Sequence, residues 1–388
     1  MALVLGLTAC GPTGSPAGSP SPSQPGTFPQ ASQTTPATSP ATSQPPAGSS
    51  TAANISGPFE GEAKQLNGAG ATFPAVLYTK WFEEYSKLAG VKVNYQPIGS
   101  GGGIKSISDQ TVDFGASDSP MTDDQLKQTK GGEILHIPTA LGAVVPTYNI
   151  PGVSKQVKFT PETLVGIYLG DIKKWNDSRL VADNQDVNLP NKDIVVVHRS
   201  DGSGTSFIWT DYLSNVSPKW KSSVGAATSV DWPVGLGGKG NAGVAGEVAQ
   251  NPNSIGYVEL IYALQNKLAV GQVKNKAGVF LDPTLESVTA AAAGLGDTIA
   301  PDLRASIVNA PGEKSWPISS LTWLLVYKNM TDKSKAVTLT RLAWWAIHDG
   351  QKYNADLGYA PLPDGVVKKA EDKIKSVTAN RQPAFPGR

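Results

Sequence analysis

The sequence repeatedly places a glycine-rich turn between a strand-like apolar run and a run with helical spacing. The clearest case is residues 198–206 (HRSDGSGTS), which lie between a strand-like run at 194–198 and a helix-like run at 206–213. Glycines let the backbone approach a ligand closely, and a helix start presents unpaired N–H groups at the positive end of the helix dipole. Arg199 adds a planar, always-charged guanidinium. The segment predicts an anion cradle; a capped surface turn is the alternative for this segment alone.

Three further segments have the same character. Residues 68–74 (GAGATFP) put Thr72 where it would cap a helix and Pro74 in the first turn of that helix. Residues 99–103 (GSGGG) follow a strand-like run, and residues 113–120 (DFGASDSP) are a strand end rich in small residues and carboxylates. Several helix starts and an arginine loop that converge on one point are typical of an anion site.

Beyond residue 60 the chain alternates between two kinds of periodic segment. The strand-like runs are residues 91–95, 112–115, 143–148, 194–198 and 321–327. The helix-like runs are residues 75–87, 206–213, 335–348 and 365–376. This alternation predicts an α/β fold. Ligands of open α/β sheets bind beyond the carboxyl ends of the strands, which is where the glycine-rich turns lie.

Several segments, in the same order along the chain, resemble the phosphate-binding proteins (PstS family) of bacterial phosphate ABC transporters. They are GAGATFP (68–74), GSGGG (99–103), VDFGASD (112–118), RSDGSGTSF (199–207), WPVGLGGKGN (232–241), IGYVE (255–259) and WPISS (316–320). The resemblance implies a two-lobed periplasmic-binding-protein fold of type II, with the ligand cleft between the lobes and a two-strand hinge. It places lobe one at residues 61–141 plus 317–388 and lobe two at residues 142–316.

The resemblance also implies a set of phosphate ligands. Phe73 and Gly204 would act through backbone N–H groups, and Asp201 would brace Arg199 without touching the ligand. The residue chemistry agrees, because Arg199 offers a charged bidentate fork and the Ser and Thr hydroxyls can rotate to donate. The implied ligands are Thr72, Phe73, Ser100, Asp118, Arg199, Ser203, Gly204 and Thr205.

Asp118 is the one carboxylate in this implied set. A carboxylate beside a bound anion repels it unless the anion has a proton to donate. Protonated phosphate has such a proton, whereas fully ionised sulfate would leave a buried acceptor without a partner. Asp118 therefore predicts selectivity for protonated phosphate over sulfate. The alternative for Asp118 is a turn residue that hydrogen-bonds to its own backbone.

The N-terminal region has a different composition, with no Asp, Glu, Lys or Arg before Glu60. Residues 11–60 are mostly Ser, Thr, Pro, Gly and Ala, so they cannot bury enough apolar surface to fold, and we expect a disordered tether. Residues 1–10 resemble the end of a lipoprotein signal, with Cys10, the only cysteine, in the lipobox LTAC. Because no basic residue opens this segment, we expect the true start to lie upstream of Met1.

The lipobox indicates how the protein is held at the cell surface. Acyl chains such as palmitate on Cys10 would anchor it to the membrane without a transmembrane helix. The predicted location is the extracellular face of the cell membrane, or the periplasm. The resemblance implies a monomer that delivers inorganic phosphate to the permease and ATPase of the transporter.

The composition and the histidines give little support to nucleic-acid binding, metal binding or catalysis. Lys plus Arg number 33 and Asp plus Glu number 32, so the formal charge of +1 gives no indication of nucleic-acid binding. His136, His198 and His348 are far apart in sequence, and we expect no metal site, no cofactor and no catalysis.

Three other functions stay open on the sequence. A secreted phosphatase could share the anion cradle, although the sequence offers no clear nucleophile, metal set or general base. A binding protein for another oxyanion, such as sulfate or molybdate, would conflict with the role of Asp118. A surface adhesion module could bind an anion incidentally.

Overall fold

A large mixed β-sheet organises the part of the chain that the computed structural model describes, residues 61–387. The strands are β1 (Gln65–Gly70), β2 (Lys92–Gln96), β3 (Phe114–Ser117), β4 (Ile134–Asn149), β5 (Lys158–Phe159), β6 (Val195–Arg199), β7 (Leu236–Gly238), β8 (Ser254–Glu259), β9 (Ala269–Val270), β10 (Gln272–Lys274), β11 (Phe280–Leu281), β12 (Ser319–Tyr327), β13 (Asn329–Met330), β14 (Thr378–Ala379) and β15 (Gln382–Pro383). The lipobox at Cys10 and the tether predicted for residues 11–60 lie outside the described residues.

Thirteen α-helices connect or follow the strands of residues 61–387. The α-helices are α1 (Ala75–Ala89), α2 (Ser100–Ser108), α3 (Asp123–Lys127), α4 (Pro161–Tyr168), α5 (Ser178–Asp183), α6 (Gly204–Val216), α7 (Pro218–Ser223), α8 (Gly240–Gln250), α9 (Leu260–Gln265), α10 (Leu285–Ala291), α11 (Leu295–Thr298), α12 (Lys333–Ile347) and α13 (Asp364–Lys375). Two short 3-10 helices lie at Asp349–Tyr353 and Ala355–Leu357. Among residues 61–387, no helix combines the length and the apolar character that a membrane span requires.

The strand order of the large sheet is β2-β1-β3-β12-β4-β8-β6-β7, with β9 paired to β4. β1 pairs in parallel with β2 and β3, and β6 pairs in parallel with β7 and β8. β12 and β4 pair antiparallel with their neighbours. The predicted α/β fold is confirmed. We call the half built on β1, β2, β3 and β12 the first lobe, and the half built on β6, β7 and β8 the second lobe.

β4 belongs to both lobes. Its residues 134–143 pair with β12 and its residues 144–149 pair with β8. The sequence pattern predicts only residues 143–148 as a strand. The part of β4 before residue 143 is buried along its whole length, so its sequence lacks the alternation of apolar and polar residues that marks a strand. Pro138 also argues against a central strand there, because proline has no backbone N–H to donate. The ladder register shifts opposite Pro138, which accommodates the proline within the strand.

The chain passes between the lobes a second time just before β12. The N–H group of Val144 donates to the carbonyl of Ile318 over 2.9 Å, and Ser319 pairs with Ala143. The two connecting segments therefore run side by side and form the two-strand hinge that the resemblance implies.

The predicted helices are present, but one predicted cap is wrong. α1 buries Leu77, Trp81 and Tyr85, as the apolar spacing predicts, and it ends at a glycine in the left-handed conformation. The prediction that Thr72 caps α1 is wrong, because Pro74 occupies the cap position and no side chain caps this helix. The Thr72 hydroxyl has a different partner, described below.

Glycine at position 103 lets α2 lie directly on the first-lobe sheet. A Cβ atom there would come within 2.6 Å of the Ala116 carbonyl oxygen and of the Gly70 Cα. Both obstacles are backbone atoms of β3 and β1, so neither can rotate away. The close approach brings the start of α2 next to the ends of these strands, where the predicted ligands lie.

Because Gly103 packs directly on the backbone of β1 and β3, we predict that a larger residue at this position lowers the stability of the protein. Gly103→Ala should lower the free energy of unfolding by about 1–3 kcal/mol, because a methyl group would overlap backbone atoms of two strands. The matched control is Gly246→Ala within α8, where the nearest atom to a new Cβ is the Gln250 Nε2 at 4.0 Å. That change should be neutral or stabilising by about 0.5–1 kcal/mol. Denaturant unfolding of both variants measures the difference, and equal stabilities would contradict the proposed contact.

Candidate functional site

The segments that follow β1, β2, β3 and β6 meet in the cleft between the lobes. Six of the eight predicted ligands belong to helix starts or to the turns before them, and the other two end or follow a strand. All eight are buried, with Asp118 1% and Arg199 3% exposed. The structure places Thr72 and Phe73 after β1, Ser100 at the start of α2, Asp118 after β3, Arg199 at the end of β6, and Ser203, Gly204 and Thr205 at the start of α6.

Arg199 is the buried positive charge of this cleft. Its Nε and Nη2 donate to the two carboxylate oxygens of Asp201 over 2.8 and 2.6 Å. Burial opposes the ionisation of Asp201, but the hydrogen bonds and charge of Arg199 outweigh it and lower the pKa of Asp201. The Gly240 N–H also donates to Asp201, over 3.0 Å. Asp201 therefore fixes one edge of the guanidinium and turns the other edge toward the predicted ligands.

Asp118 is a buried acid with two hydroxyl partners. Thr322 donates to its Oδ1 over 2.8 Å, and the Ser100 hydroxyl lies 3.3 Å from its Oδ2. Burial raises the pKa of Asp118 to about 7, although Thr322, the charge of Arg199 and Ser100 all favour the ionised form. Near neutral pH this carboxyl can therefore either accept or carry a proton.

The start of α6 approaches Asp118 from the second lobe. A Cβ atom on Gly204 would lie 2.5 Å from the Asp118 Oδ2 and 2.4 Å from the Ser100 Oγ, so only glycine fits this position. Ser203 caps α6, because its hydroxyl oxygen accepts the Ser206 N–H over 3.0 Å. That bond leaves the Ser203 proton as a donor, beside the unpaired N–H groups at the positive end of the helix.

The lobes touch each other around these residues. The Gly101 N–H of the first lobe donates to the Gly202 carbonyl of the second over 2.9 Å. The Tyr262 hydroxyl of the second lobe donates to the Thr72 carbonyl over 2.5 Å. Within the first lobe, the carbonyl of the fully buried Phe73 accepts the Tyr359 hydroxyl over 2.6 Å, and that hydroxyl also lies 3.1 Å from the Glu259 Oε2 of the second lobe. The cleft is therefore closed by backbone and side-chain hydrogen bonds.

Two side chains of this region were not among the predicted ligands. Thr322 lies in the middle of β12, where nothing in the local sequence distinguishes it from a core residue. Asn241 is the last residue of the WPVGLGGKGN segment, and its amide bonds to Thr72 and Thr205 over 2.9 and 3.0 Å. The glycine-rich segment before Asn241 was the available signal for this residue.

The three histidines have partners of their own, whereas Glu259 is a second buried acid of this region, and its Oε2 accepts the Ile261 N–H and the Tyr359 hydroxyl. His136 is buried and accepts the Met121 N–H, His198 stacks on Trp232, and His348 stacks on Trp344. Lys239 is exposed. Within residues 61–387, no three His, Cys, Asp or Glu side chains lie close enough together to hold a metal ion.

Comparisons with known proteins place the chain in a family. The profile of the PBP superfamily domain matches residues 36–345. The phosphate-binding protein PstS of Pasteurella multocida is 45% identical over 316 residues, covering 81% of this chain and 91% of the relative. The phosphate-binding protein PstS of Methanocaldococcus jannaschii is 38% identical over 322 residues, covering 77% and 82%.

A solved structure gives the same fold at low sequence identity. The phosphate-binding protein of Stenotrophomonas maltophilia has a TM-score of 0.61 at 18% identity, over 80% of this chain and 94% of that protein. This similarity concerns the fold, whereas the sequence identities above concern the family. The chain therefore belongs to the PstS family of phosphate-binding proteins within the PBP superfamily.

Proposed function

We propose that the protein binds inorganic phosphate in the cleft between its lobes and delivers it to the permease and ATPase of an ABC transporter. The observation that carries this proposal is the burial, in one closed cleft, of Arg199, a helix start and the proton-accepting acid Asp118. A positive charge with many donors suits an oxyanion, and one acceptor suits an oxyanion that keeps a proton. The family membership supports the same ligand.

In this proposal every ligand but one donates a hydrogen bond. Phe73 and Gly204 use backbone N–H groups, the Ser and Thr ligands use hydroxyls, and Arg199 uses the guanidinium edge that Asp201 leaves free. Asp118 accepts the proton of the bound phosphate through Oδ2, the oxygen that faces Gly204 and the Ser100 hydroxyl, whereas Oδ1 accepts from Thr322. The proposed donors are Thr72, Phe73, Ser100, Arg199, Ser203, Gly204 and Thr205.

The proposal includes no catalytic step. The relatives named above are phosphate-binding proteins, and none of the three histidines hydrogen-bonds to a predicted ligand side chain. His198 precedes Arg199 in β6, but its ring contacts the Arg199 carbonyl and Trp232. Incubation with a chromogenic phosphate ester tests the phosphatase alternative, and turnover would revive it.

We further propose the arrangement of the whole chain. Residues 61–141 plus 317–388 would form lobe one and residues 142–316 lobe two, in agreement with the passages of the chain at β4 and before β12. Acylation of Cys10 would anchor a monomer on the extracellular face of the membrane, with residues 11–60 as the tether. Mass spectrometry of the membrane fraction tests the anchor, since Cys10→Ala should abolish the acyl modification and release the protein.

Calorimetric titration tests the proposed ligand. The protein should be unfolded and refolded to remove carried ligand, and then titrated with phosphate and, separately, with sulfate. We expect one phosphate to bind per chain, with no heat from sulfate. Heat from sulfate alone would keep the fold and change the ligand, and heat from neither anion would contradict the proposal.

Asp118→Asn tests the proposed origin of selectivity. The amide keeps the oxygen that accepts from Thr322 but presents N–H donors where Oδ2 stood, so it can bond to sulfate and no longer repels it. We expect the ratio of phosphate to sulfate affinity to fall by about 100-fold or more. Competition titrations measure this ratio. An unchanged ratio would show that Asp118 does not determine selectivity.

The same substitution predicts a pH dependence of stability in the ligand-free protein. The Asp118 carboxyl has a folded-state pKa of about 7, against a usual value of 3.8. Between these values the folded state holds a proton that the unfolded chain has released, so Asp118 lowers stability as the pH rises. At 1.36 kcal/mol per pKa unit, the upper limit of this loss is about 4 kcal/mol.

Asp118→Asn should therefore match the wild type only below about pH 4, and its advantage in stability over the wild type should be larger near pH 8 than near pH 5. Burial also raises the pKa of Glu259, so only the difference between the two proteins isolates Asp118. Denaturant unfolding at both pH values measures it. A variant that loses as much stability as the wild type between pH 5 and pH 8 would contradict the role of Asp118.

A further inference from the structure

We propose that Asn241 is a positioning residue that holds the Thr72 and Thr205 hydroxyls as hydrogen-bond donors toward the ligand. The inference rests on the proposed phosphate site and adds a residue that is not itself among the proposed ligands. Its basis is a set of hydrogen bonds that occupies both acceptor positions of each threonine hydroxyl oxygen. A hydroxyl whose acceptor positions are occupied can only donate its proton.

The Asn241 side chain is fully buried near the start of α8, and all of its polar atoms are paired. Its Oδ1 accepts the Glu259 backbone N–H over 2.9 Å. A backbone N–H can only donate, so this bond fixes the orientation of the amide and turns the Nδ2 group toward the two threonines. Nδ2 then lies 2.9 Å from the Thr72 Oγ1 and 3.0 Å from the Thr205 Oγ1.

Each threonine oxygen accepts two hydrogen bonds. The Thr72 Oγ1 accepts from the Asn241 Nδ2 and, over 3.3 Å, from the Asn241 backbone N–H. The Thr205 Oγ1 accepts from the Asn241 Nδ2 and, over 3.3 Å, from the Arg199 Nη1. A hydroxyl oxygen has two acceptor positions and one proton. Both oxygens are therefore saturated as acceptors, and their protons remain for the phosphate oxygens.

This arrangement matters because a bound phosphate that keeps a proton could otherwise bond in more than one way. A free hydroxyl can accept that proton as readily as it can donate its own. With both threonines held as donors, two fewer hydroxyls compete with the Asp118 carboxylate for the phosphate proton. Asn241 thereby supports the selectivity proposed for Asp118 without touching it.

Asn241 also links the donor orientation to closure of the lobes. Thr205 and Asn241 belong to the second lobe, whereas Thr72 follows β1 in the first lobe. The Asn241–Thr72 bonds therefore form only when the lobes meet. The Thr72 hydroxyl becomes a fixed donor at the same moment as the cleft closes over the ligand.

A double-mutant cycle on the full chain tests the inference. Asn241→Ala should weaken phosphate binding by about 10- to 100-fold, because two hydroxyls regain the freedom to rotate and closure loses its bonds to Thr72. In a Thr72→Val, Thr205→Val background the same substitution should change the affinity by less than about threefold, since the groups through which Asn241 acts are gone. Calorimetry with inorganic phosphate gives all four affinities.

A matched control separates positioning from folding. Asn184 is also fully buried, accepts one backbone N–H and donates two hydrogen bonds, but its partners are the Lys158 and Leu180 backbone groups. Asn184→Ala should lower the melting temperature and leave phosphate affinity within about twofold of the wild type. If Asn241→Ala fails to fold, Asn241→Asp serves instead, because aspartate keeps the shape of the side chain. The loss of affinity caused by Asn241→Asp should also be larger in the wild type than in the double-valine background.

The outcomes distinguish this inference from the proposed function. If the wild type binds no phosphate, the proposed function fails. If the wild type binds phosphate but Asn241→Ala reduces affinity by the same factor in both backgrounds, Asn241 acts only as a structural bridge and the inference is wrong. An Asn241→Ala affinity within twofold of the wild type would also overturn it.

Discussion

The buried ion pair between Arg199 and Asp201 is the interaction on which the rest of the site depends. The Arg199 residue is 3% exposed, and its guanidinium requires a partner because a buried charge without one is strongly unfavourable. Asp201 meets that requirement with two hydrogen bonds, and the Gly240 N–H holds Asp201 in turn. Asp201 offsets part of the Arg199 charge, so an anion in the cleft meets the remaining positive charge together with oriented N–H donors. This is how a chain with a formal charge of only +1 can present an oxyanion site.

The fold serves this arrangement through the positions of its strand ends. β1 and β3 in the first lobe and β6 in the second lobe end at the cleft, and the segment after each of them carries a predicted ligand. α2 contributes through Gly103, which lets its first turn lie beside β1 and β3, and α6 contributes through Gly204, which lets its first turn reach Asp118. Small residues at the helix starts thus determine how closely donors from separate segments approach one another.

Local sequence patterns predict the parts of the site whose residues are close together in sequence. They miss the parts in which residues distant in sequence meet in the folded protein. Arg199, Ser203 and Gly204 lie in one turn between a strand and a helix, so their proximity follows from the chain itself. Thr322 reaches Asp118 across 204 positions of sequence, from a strand whose neighbour is not apparent from its own pattern. The wrong cap assigned to Thr72 has the same origin, because the partner of that hydroxyl is 169 residues away. The length of β4 was underestimated because burial on both faces removes the alternation by which strands are recognised.

The contact between Gly101 and Gly202 has a consequence for the thermodynamics of closure. A Cβ atom on Gly101 would lie 3.1 Å from the Gly202 Cα, so the two lobes meet here through peptide groups with no side chain between them. Ordering a long side chain on burial costs up to about 2 kcal/mol of rotamer entropy, whereas glycine has no rotamers to lose. At this point the lobes can close and open without freezing side chains. The free energy released by the bound anion is then available to hold the cleft shut rather than to offset lost conformational freedom.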